Sequence, residues 1–333
     1  MADAQTNGSF ETKTALVTGA NSGLGFEAAG QLAEAGYGRV ILACRTARKA
    51  DDARSRLIAR VGSDPFETLE VDVSSIASAR AASDELAARA QPIDALLLNA
   101  GVVPGDDMGK SADDMEIAFA SSIVGHHVMA VSLLEKGVLP KGARIVIAGS
   151  EGARNDLPAM FGMALYDFTV AEPTEFGDNL HDAMIAFARG AKPDKYDPMR
   201  YYAATKAFTS WWSAAMAREF GDRISVFTVS PGSNMGTNAA RNTTGFKKFL
   251  FTKVMPFVGS FTGMNMPTPV GAKRYVEVLN GVGHDFTNGR SYMSPPTKVV
   301  GPMEEQTTPH LLDVERQKMA FQVIEELTGT AAP

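Results

Sequence analysis

Tyr202 and Lys206 are the residues of this sequence whose types and spacing suit proton transfer. Residues four apart on a helix share one face, so the lysine ammonium group can approach the phenol. A free tyrosine titrates at about pH 10, and a nearby positive charge lowers its pKa. Tyr201 is the alternative tyrosine, but Thr205 rather than a lysine stands four residues after it. The spacing therefore predicts that Tyr202 is a general acid and base assisted by Lys206.

A glycine-rich loop opens directly into a predicted helix near the start of the sequence. Residues 18–25 read Thr-Gly-Ala-Asn-Ser-Gly-Leu-Gly and follow a predicted strand. Glycines let the backbone come close to a pyrophosphate, and a helix N-terminus offers free N–H groups and the positive end of its dipole. The arrangement predicts a dinucleotide site. Its residues are Gly19, Asn21, Ser22, Gly23, Leu24 and Gly25.

Short aliphatic runs alternate with longer alanine-rich stretches from Lys13 to about Val229, as in β-α-β units around a parallel sheet. The predicted strands are Thr14–Thr18, Arg39–Ala43, Glu67–Val71, Ala95–Leu98, Arg144–Ala148 and Ser225–Val229. The helices between them are predicted to begin near Gly23, Ala47, Ile76, Asp113 and Tyr201. The sequence thus predicts an α/β fold, a Rossmann-like doubly wound parallel sheet in one domain over residues 1–333. An inserted active-site rim at 151–200 and a C-terminal substrate lid at 233–267 are expected to flank the ligand crevice.

The composition excludes several classes of protein. The 333 residues include 32 basic and 38 acidic side chains, a formal net charge of −6, which argues against nucleic-acid binding. The single cysteine, Cys44, excludes an intrachain disulfide, and the histidines lack metal-ligand spacing. The N-terminal residues are polar, and no run reaches the roughly 18 apolar residues of a membrane helix. We therefore expect a cytoplasmic protein without a metal, a nucleic-acid partner or membrane contact.

Four further motifs follow the ends of later predicted strands. They are Asp72-Val73 after the third strand, Asn99-Ala100-Gly101 after the fourth, Ser150 after the fifth and Pro231-Gly232 after the sixth. Together with the glycine loop and the Tyr202–Lys206 pair, this set resembles the short-chain dehydrogenase/reductase family over about residues 13–235. The insertion, the tripeptide Ala43-Cys44-Arg45 and the late predicted strand Gly289-Arg290-Ser291-Tyr292 resemble the retinol dehydrogenase, carbonyl reductase and protochlorophyllide reductase branches.

The resemblance implies a role for each motif. Tyr202 would give a proton to the substrate oxygen as a hydride reaches the carbon, or remove it in the reverse reaction. Ser150 would hydrogen-bond the same oxygen, and Lys206 would also hold the cofactor ribose. The other implied cofactor contacts are Asp72 and Val73 beside the adenine, Asn99, Ala100 and Gly101 bracing the pocket, Pro231 and Gly232 beside the nicotinamide, and Thr237.

Arg45, at the end of the second predicted strand, favours NADP(H) over NAD(H). An aspartate at this point would bind the ribose hydroxyls and repel a 2′-phosphate, whereas here neutral Cys44 precedes a guanidinium group. Cys44 is expected to be a buried spacer rather than a reactive thiol. Arg48 and Lys49 either add to the positive field or are solvated residues of the next helix.

Two features depart from the family pattern. Ser122 stands where related chains have a catalytic asparagine, so it either joins a modified proton relay or caps a bend in its helix. Residues 151–200 are inserted where simple family members have a short loop. In many family members the helix that begins near Tyr201 packs between subunits, and an inserted rim can mask that face. We therefore expect a monomer or a homodimer.

Methionine and aromatic residues in the insertion and the lid favour a bulky, mainly apolar ketone or alcohol as substrate. The alternative is that they pack these segments against the sheet. They are Met160, Phe161, Met163, Tyr166 and Phe168, then Phe246, Phe249, Phe251, Met255, Phe257, Phe261, Met264 and Met266. The predicted function is NADP(H)-dependent interconversion of a carbonyl and an alcohol. Two alternatives stay open: reduction of a carbon–carbon double bond in a large conjugated substrate, and a non-catalytic NADP(H)-binding regulator.

Overall fold

The computed structural model describes residues 10–157, 159–166, 168, 176–191, 196–234 and 265–333. The strands are β1 (Thr14–Thr18), β2 (Arg39–Cys44), β3 (Phe66–Glu70), β4 (Ala95–Leu98), β5 (Ala143–Ala148), β6 (Ile224–Val229), β7 (Ser291–Met293) and β8 (Glu304–Glu305). They form one sheet in the order β3-β2-β1-β4-β5-β6-β7-β8. Neighbouring strands are parallel except β8, which pairs antiparallel with β7. The order reverses between β1 and β4, and such a reversal opens a ligand crevice at the carboxyl ends of the strands.

The predicted doubly wound parallel sheet is confirmed, and the observed bounds of the six strands lie within one residue of those predicted. Strands β1 and β4 are buried along their whole length, which explains their nearly continuous aliphatic sequences. The late strand predicted from Gly289 begins instead at Ser291, because Gly289 lies in a turn with φ +80°. The exposed strand β8 was not predicted, since two glutamates carry no strand signal.

Helices cover both faces of the sheet. They are α1 (Gly23–Glu34), α2 (Ala47–Val61), α3 (Ile76–Ala88), α4 (Ile117–Phe119), α5 (Gly125–Glu135), α6 (Leu180–Ala188), α7 (Pro198–Phe220), α8 (Thr268–Asn280) and α9 (Val314–Thr328). A π-helical turn, Ala120–Val124, joins α4 to α5. One apolar core lies between the sheet and α1, α2 and α8, and a second between the sheet and α3, α5, α6, α7 and α9.

The helix predicted from about Asp113 begins instead at Ile117. Asp114 has φ +56°, a left-handed conformation that interrupts a helix. The Asp113 carboxylate accepts a hydrogen bond from the backbone N–H of Ile76 at 2.9 Å. Asp113 therefore serves the first turn of α3 rather than that of a helix of its own.

Helix α7 begins at Pro198, earlier than the predicted start near Tyr201. The Asp197 carboxylate accepts hydrogen bonds from the backbone N–H groups of Met199 and Arg200, at 2.9 and 3.2 Å. Proline suits the first helical position because its missing N–H would be unpaired there. The earlier start places Tyr202 in regular helix rather than at a fraying end.

The described part of the insertion packs on α7 through an aromatic cluster. The rings of Tyr166, Phe168, Phe176 and Phe187 lie 5.0 to 6.3 Å apart. Phe187 also stacks on Tyr201 with 4.5 Å between ring centres. Tyr166 and Phe168, which the sequence offered as substrate lining, therefore form the core of the rim. The lid residues between positions 235 and 264 that the sequence predicted to line the substrate site lie outside the described residues.

The outer face of α7 is covered by α9 and the segment before it. Trp211 Nε1 donates a hydrogen bond to the His310 carbonyl at 2.7 Å, and the Arg316 guanidinium group lies 5.9 Å from the Trp211 ring centre. Arg218 donates to the Gln317 side chain. The sequence predicted that the insertion covers this face. In the structure, α9 covers it as well.

One helical stretch among the described residues, Ile117–Glu135, has the length and composition of a membrane span, with a mean hydropathy of 1.7. Of its most apolar window, 94% is buried inside the protein. This stretch is the core helix beside the sheet, and its apolar sequence follows from that burial.

Candidate active site

A cleft of about 350 Å³ lies at the carboxyl ends of the parallel strands, where the strand order reverses. Its wall contains most of the predicted site residues: Gly19, Asn21, Ser22, Gly23, Leu24, Arg45, Asp72, Val73, Asn99, Ala100, Gly101, Tyr202, Lys206 and Pro231. Gly25, Ser122, Ser150 and Gly232 are not part of the wall. Thr237 lies outside the described residues. The cleft has the size of a ligand pocket.

The loop after β1 lies against the loop after β4. Gly19 has φ +67°, and its N–H donates a hydrogen bond to the Ala43 carbonyl at 2.8 Å. A Cβ atom on Gly25 would lie 2.5 Å from Asn99 Nδ2 and 2.6 Å from the Gly19 carbonyl oxygen. Without that atom, Asn99 Nδ2 reaches the Thr18 carbonyl at 3.0 Å. The glycine at position 25 therefore permits the brace between the two loops, although it does not line the cleft itself.

The N-terminus of α1 faces the cleft without a cap of its own. Ser22 makes no capping hydrogen bond, and the first turn carries no acidic side chain. The residues around this end, 21 to 24, all line the cleft. Its N–H groups are thus available to an anion, and they fit the pyrophosphate of a dinucleotide.

Thr18 fixes the loop after β4. Its hydroxyl accepts hydrogen bonds from the N–H groups of Asn99 and Ala100, at 2.9 and 3.0 Å. The same hydroxyl lies 3.0 Å from His126 Nε2. Burial lowers the pKa of His126 to about 4, so this imidazole is neutral at neutral pH. His126 therefore supports the loop as a neutral hydrogen-bonding group.

Arg45 and Asp72 form an ion pair at the adenine end of the cleft, with 3.4 Å between Nε and Oδ2. Burial would raise the pKa of Asp72, but hydrogen bonds from Ser74 and the charges of Arg45 and Lys49 hold it below its usual value. Arg45 is about half exposed, and Lys49 also lines the cleft. Two cations thus accompany one carboxylate here, and this balance fits an additional phosphate.

Tyr202 and Lys206 line the other end of the cleft, and Ser150 lies just behind its wall. The Ser150 hydroxyl is close enough to the Tyr202 phenol to lower its pKa. The Lys206 ammonium group lies 5.9 Å from the Tyr202 ring centre and donates to the Ala148 carbonyl at 2.9 Å. The end of β5 and the second turn of α7 thus bring the predicted catalytic residues together.

The surroundings of Tyr202 keep its phenol protonated in the free protein. Burial raises the pKa of Tyr202, the nearby Ser150 hydroxyl lowers it, and the negative charge of Glu151 raises it, with a net increase. Burial lowers the pKa of Lys206 to about 8. The net effect is the opposite of the lowered phenol pKa that the sequence predicted, because burial outweighs the other effects. In addition, Lys206 hydrogen-bonds Ala148 instead of the phenol.

Ser122 lies in the π-helical turn, and its neighbour Ser121 lines the cleft in its place. Ser122 is buried behind Gly101, where its Oγ lies 3.1 Å from the position that a Cβ on Gly101 would take. Its carbonyl oxygen lies 3.0 Å from His126 Nδ1. Of the two roles that the sequence left open, this buried position favours a structural role at the bend.

Pro231 lines the cleft, and Gly232 turns the chain away from it with φ +79°. The Gly232 N–H donates to Ser230 Oγ at 3.2 Å. A Cβ on Gly232 would lie 3.0 Å from the side chain of Met266. Gly232 is therefore needed for the turn that presents Pro231 to the cleft.

Tyr275 and Glu151 are residues of the site that motif reasoning missed. Tyr275, on α8, lines the cleft, and burial together with the nearness of Tyr202 and Glu151 raises its pKa well above the usual value. Glu151 is only 4% exposed. Tyr275 belongs to no local motif. The one sequence signal for Glu151 is that this acidic residue directly follows Ser150. The surrounding segments leave its side chain little contact with water.

The reversed strand order above an uncapped helix N-terminus, with Ser150, Tyr202 and Lys206 at one end of the cleft, defines a nucleotide-binding oxidoreductase fold. Residues 13–166 match the family model described as short chain dehydrogenase. Short-chain dehydrogenase TIC 32 B, chloroplastic, from Brassica napus is 29% identical over 83% of this chain and 80% of its own length. Protochlorophyllide reductase, chloroplastic, from Pisum sativum is 25% identical over 95% of this chain and 78% of its own length.

A solved structure has the same fold. It is that of a short chain dehydrogenase from Burkholderia cenocepacia J2315 in complex with NADP, with a TM-score of 0.57 and 22% identity over 85% of this chain and 95% of that chain. Residues 13–166 thus match the short-chain dehydrogenase family, and the relatives of the chain include a short-chain dehydrogenase and a protochlorophyllide reductase. The family resemblance of the sequence is thereby confirmed.

Proposed function

We propose that this protein is an NADP(H)-dependent oxidoreductase that interconverts a carbonyl and an alcohol on a bulky, mainly apolar substrate. The observation that carries the proposal is that the Tyr202 phenol, the Ser150 hydroxyl and the Lys206 ammonium group lie together at one end of a nucleotide-sized cleft. Two hydroxyl groups beside a cation suit an oxygen that gains and loses a proton.

The cleft residues fit NADP(H) along its whole wall. The N–H groups at the start of α1 would hold the pyrophosphate, Asp72 and Val73 the adenine, and Lys206 the nicotinamide ribose. Arg45 and Lys49 would hold the 2′-phosphate, which is the reason for proposing NADP(H) rather than NAD(H). When bound, the cofactor supplies or accepts the hydride.

The protein supplies the proton and the orientation. Ser150 donates a hydrogen bond to the substrate oxygen and stabilises the charge that develops on it. Tyr202 then gives its proton to that oxygen, and its raised pKa keeps the proton available at neutral pH. The Lys206 ammonium group, 5.9 Å from the phenol ring centre, offsets the negative charge left on Tyr202.

The proposed substrate class rests on the apolar side of the cleft. Val102 and Val103 line it after the loop that carries Asn99. Met163 of the rim lies at the Ser150 segment, since its sulfur is 3.0 Å from the position of a Cβ on Gly152. A pliable methionine and two valines favour apolar groups next to the reacting carbonyl.

The test is a titration with NADPH and NADH, followed by turnover of a panel of bulky ketones and alcohols by the wild type and Tyr202→Phe. Tyr202→Phe is expected to bind NADPH like the wild type and to lose about 10²-fold or more in kcat, because it lacks the transferable proton. Tyr37→Phe is the matched control, since it removes a buried phenol that bonds Asn280 away from the cleft. NADPH binding without turnover of any compound in the panel would instead identify a cofactor-binding regulator.

A second reaction is reduction of a carbon–carbon double bond in a large conjugated substrate. It is favoured by the match to the protochlorophyllide reductase of Pisum sativum, which extends over 95% of this chain and so includes the inserted rim. Mass and NMR analysis of the product from an α,β-unsaturated ketone separates the two reactions. A saturated ketone supports double-bond reduction, and an allylic alcohol supports carbonyl reduction.

We further propose a monomer or a homodimer, because α9 covers the face of α7 that would otherwise be free for a subunit. Sedimentation at micromolar concentration tests this, and a tetramer would contradict it. The cytoplasm remains the proposed location, although the Brassica napus relative is described as chloroplastic. Fractionation of cells that express the tagged protein decides between the two compartments.

A further inference from the structure

A buried acidic side chain joins several segments directly behind the proposed catalytic residues. Glu151 follows Ser150 and is 4% exposed. Its Oε2 accepts a hydrogen bond from Ser230 Oγ at 2.6 Å. Its Oε1 accepts from Ser294 Oγ at 2.9 Å and from the Ser294 N–H at 3.2 Å. The Arg274 guanidinium group, 5% exposed, lies 3.7 Å from Oε1 and donates to the Ser230 carbonyl at 3.0 Å.

Two partners of Glu151 stand next to the wall of the cleft. Ser230 precedes Pro231, and Arg274 precedes Tyr275. On its own segment, Glu151 directly follows Ser150, whose hydroxyl lowers the pKa of Tyr202. One carboxylate therefore holds together the loop after β5, the loop after β6, helix α8 and the segment after β7.

Burying the Glu151 carboxylate costs free energy, which a purely structural role does not explain. A buried ion pair stabilises a fold little or not at all relative to apolar packing, since both charges lose their hydration. What a buried charge does strongly is act on its neighbours, because little water screens it. Burial raises the pKa of Tyr202, the Ser150 hydroxyl lowers it, and the charge of Glu151 raises it. Burial, then Tyr202 and then the charge of Glu151 raise the pKa of Tyr275, and Arg274 lowers it.

We propose that Glu151 is a positioning residue of the reaction: its carboxylate, paired with Arg274, fixes the Ser150 and Pro231 segments around the substrate carbonyl and places a buried negative charge behind Tyr202. The inference rests on the proposed carbonyl chemistry. Among the described residues, the charged and titratable groups that act on Tyr202 are Lys206 on its own helix, Glu151 after β5 and Tyr275 on α8, and Arg274 faces Glu151 and Tyr275. Of these, Glu151 is the nearby carboxylate, and its charge opposes a phenolate.

The experiment compares Glu151→Gln, Glu151→Ala and the control Asp156→Asn in the full-length protein. Glutamine keeps the shape and can still bond both serines, so it removes the charge alone, whereas alanine removes the charge and the bonds. Asp156 pairs with Arg154 in the same segment and does not line the cleft, so its substitution tests for a general loosening. The readouts are the pH profile of kcat/KM for ketone reduction, NADPH affinity from its fluorescence, and thermal unfolding.

Glu151→Gln is expected to move the alkaline limb of the reduction profile to lower pH by about one unit, because a phenolate is less disfavoured without the adjacent charge. Glu151→Ala is expected to show the same shift, and in addition to lose about tenfold in NADPH affinity as the Pro231 segment loosens. Asp156→Asn is expected to lower the unfolding temperature without either effect. A Glu151→Gln profile that superimposes on the wild type would overturn the proposal.

Two readouts stay valid if the wild type reduces no carbonyl compound, an outcome that refutes the proposed function itself. The ultraviolet absorbance of tyrosinate, taken as the difference between each protein and its Tyr202→Phe counterpart, reports the titration of Tyr202 directly. NADPH affinity needs no turnover. A lower Tyr202 titration in Glu151→Gln with weaker NADPH binding in Glu151→Ala supports the positioning role, and unchanged values in both variants refute it.

Discussion

Replacement of Lys206 by methionine is expected to stabilise the cofactor-free protein while abolishing its activity. Lys206 is 7% exposed, and burial lowers its pKa from 10.5 to about 8. Below pH 8 the folded protein must therefore hold a buried charge that the unfolded chain keeps in water. Methionine has a similar length, fills the same space and carries no charge.

The magnitude follows from the pKa difference. The lowered pKa of Lys206 destabilises the folded wild type by about 3 kcal/mol at pH 7. The variant avoids this cost but loses the hydrogen bond to the Ala148 carbonyl, which is worth about 1 kcal/mol. The free energy of unfolding of Lys206→Met should thus exceed that of the wild type by about 2 kcal/mol at pH 7. Between pH 8 and 10.5 the unfolded chain binds more protons than the folded protein, so the wild type gains stability with rising pH. The advantage of the variant then shrinks, by more than about 2 kcal/mol at pH 10.

Urea unfolding at pH 7, 8.5 and 10 measures this difference. Lys273→Met is the control, because Lys273 is exposed on α8 and its removal should change stability by less than about 0.5 kcal/mol at each pH. A Lys206→Met protein that is less stable than the wild type at pH 7 would refute the reasoning. So would a stability difference that is the same at all three pH values.

Three further outcomes follow from the cleft. Arg45→Ala should lower the affinity for NADPH about tenfold relative to NADH, because it removes a charged phosphate ligand, whereas Arg48→Ala, outside the cleft wall, should leave the ratio unchanged in the same titrations. Gly25→Ala should weaken NADPH binding about tenfold or more and lower the unfolding temperature, because its methyl group would displace the Asn99 amide; wild-type binding would contradict the brace. Cys44 should react with a disulfide reagent at pH 8 only after unfolding, because it is 1% exposed and burial raises its pKa to about 11; rapid labelling of the folded protein would contradict this.

The elements of the sheet could be predicted because their signals are local. A strand such as Ala95–Leu98 is buried on both faces, so it reads as an unbroken aliphatic run. The glycine loop and the Tyr202–Lys206 spacing are also local, and both place residues on the cleft wall, although Gly25 stands behind it. The start of the helix near Asp113 was wrong because apolar spacing does not show the left-handed conformation of Asp114, which delays the helix to Ile117.

The rest of the site depends on contacts between distant positions. The Glu151 carboxylate meets Ser230, Arg274 and Ser294, and no spacing rule connects these residues. Tyr275 enters the cleft because α8 packs beside α1, which only the assembled sheet determines. The direction of the Tyr202 pKa shift was likewise missed, because desolvation depends on everything that surrounds a side chain.

The cover that α9 provides for α7 has a consequence for biosynthesis. The ribosome completes α7, with Trp211 and the other apolar residues of its outer face, well before it makes Arg316 and Gln317, whose side chains later contact that face. A partly made chain therefore displays an apolar helix surface that belongs to the same helix as the catalytic residues, and such surfaces promote aggregation. The yield of active protein in a cell then depends on the time between synthesis of α7 and synthesis of α9. Chaperone supply or a slower translation rate should therefore change the yield more than the activity per folded molecule.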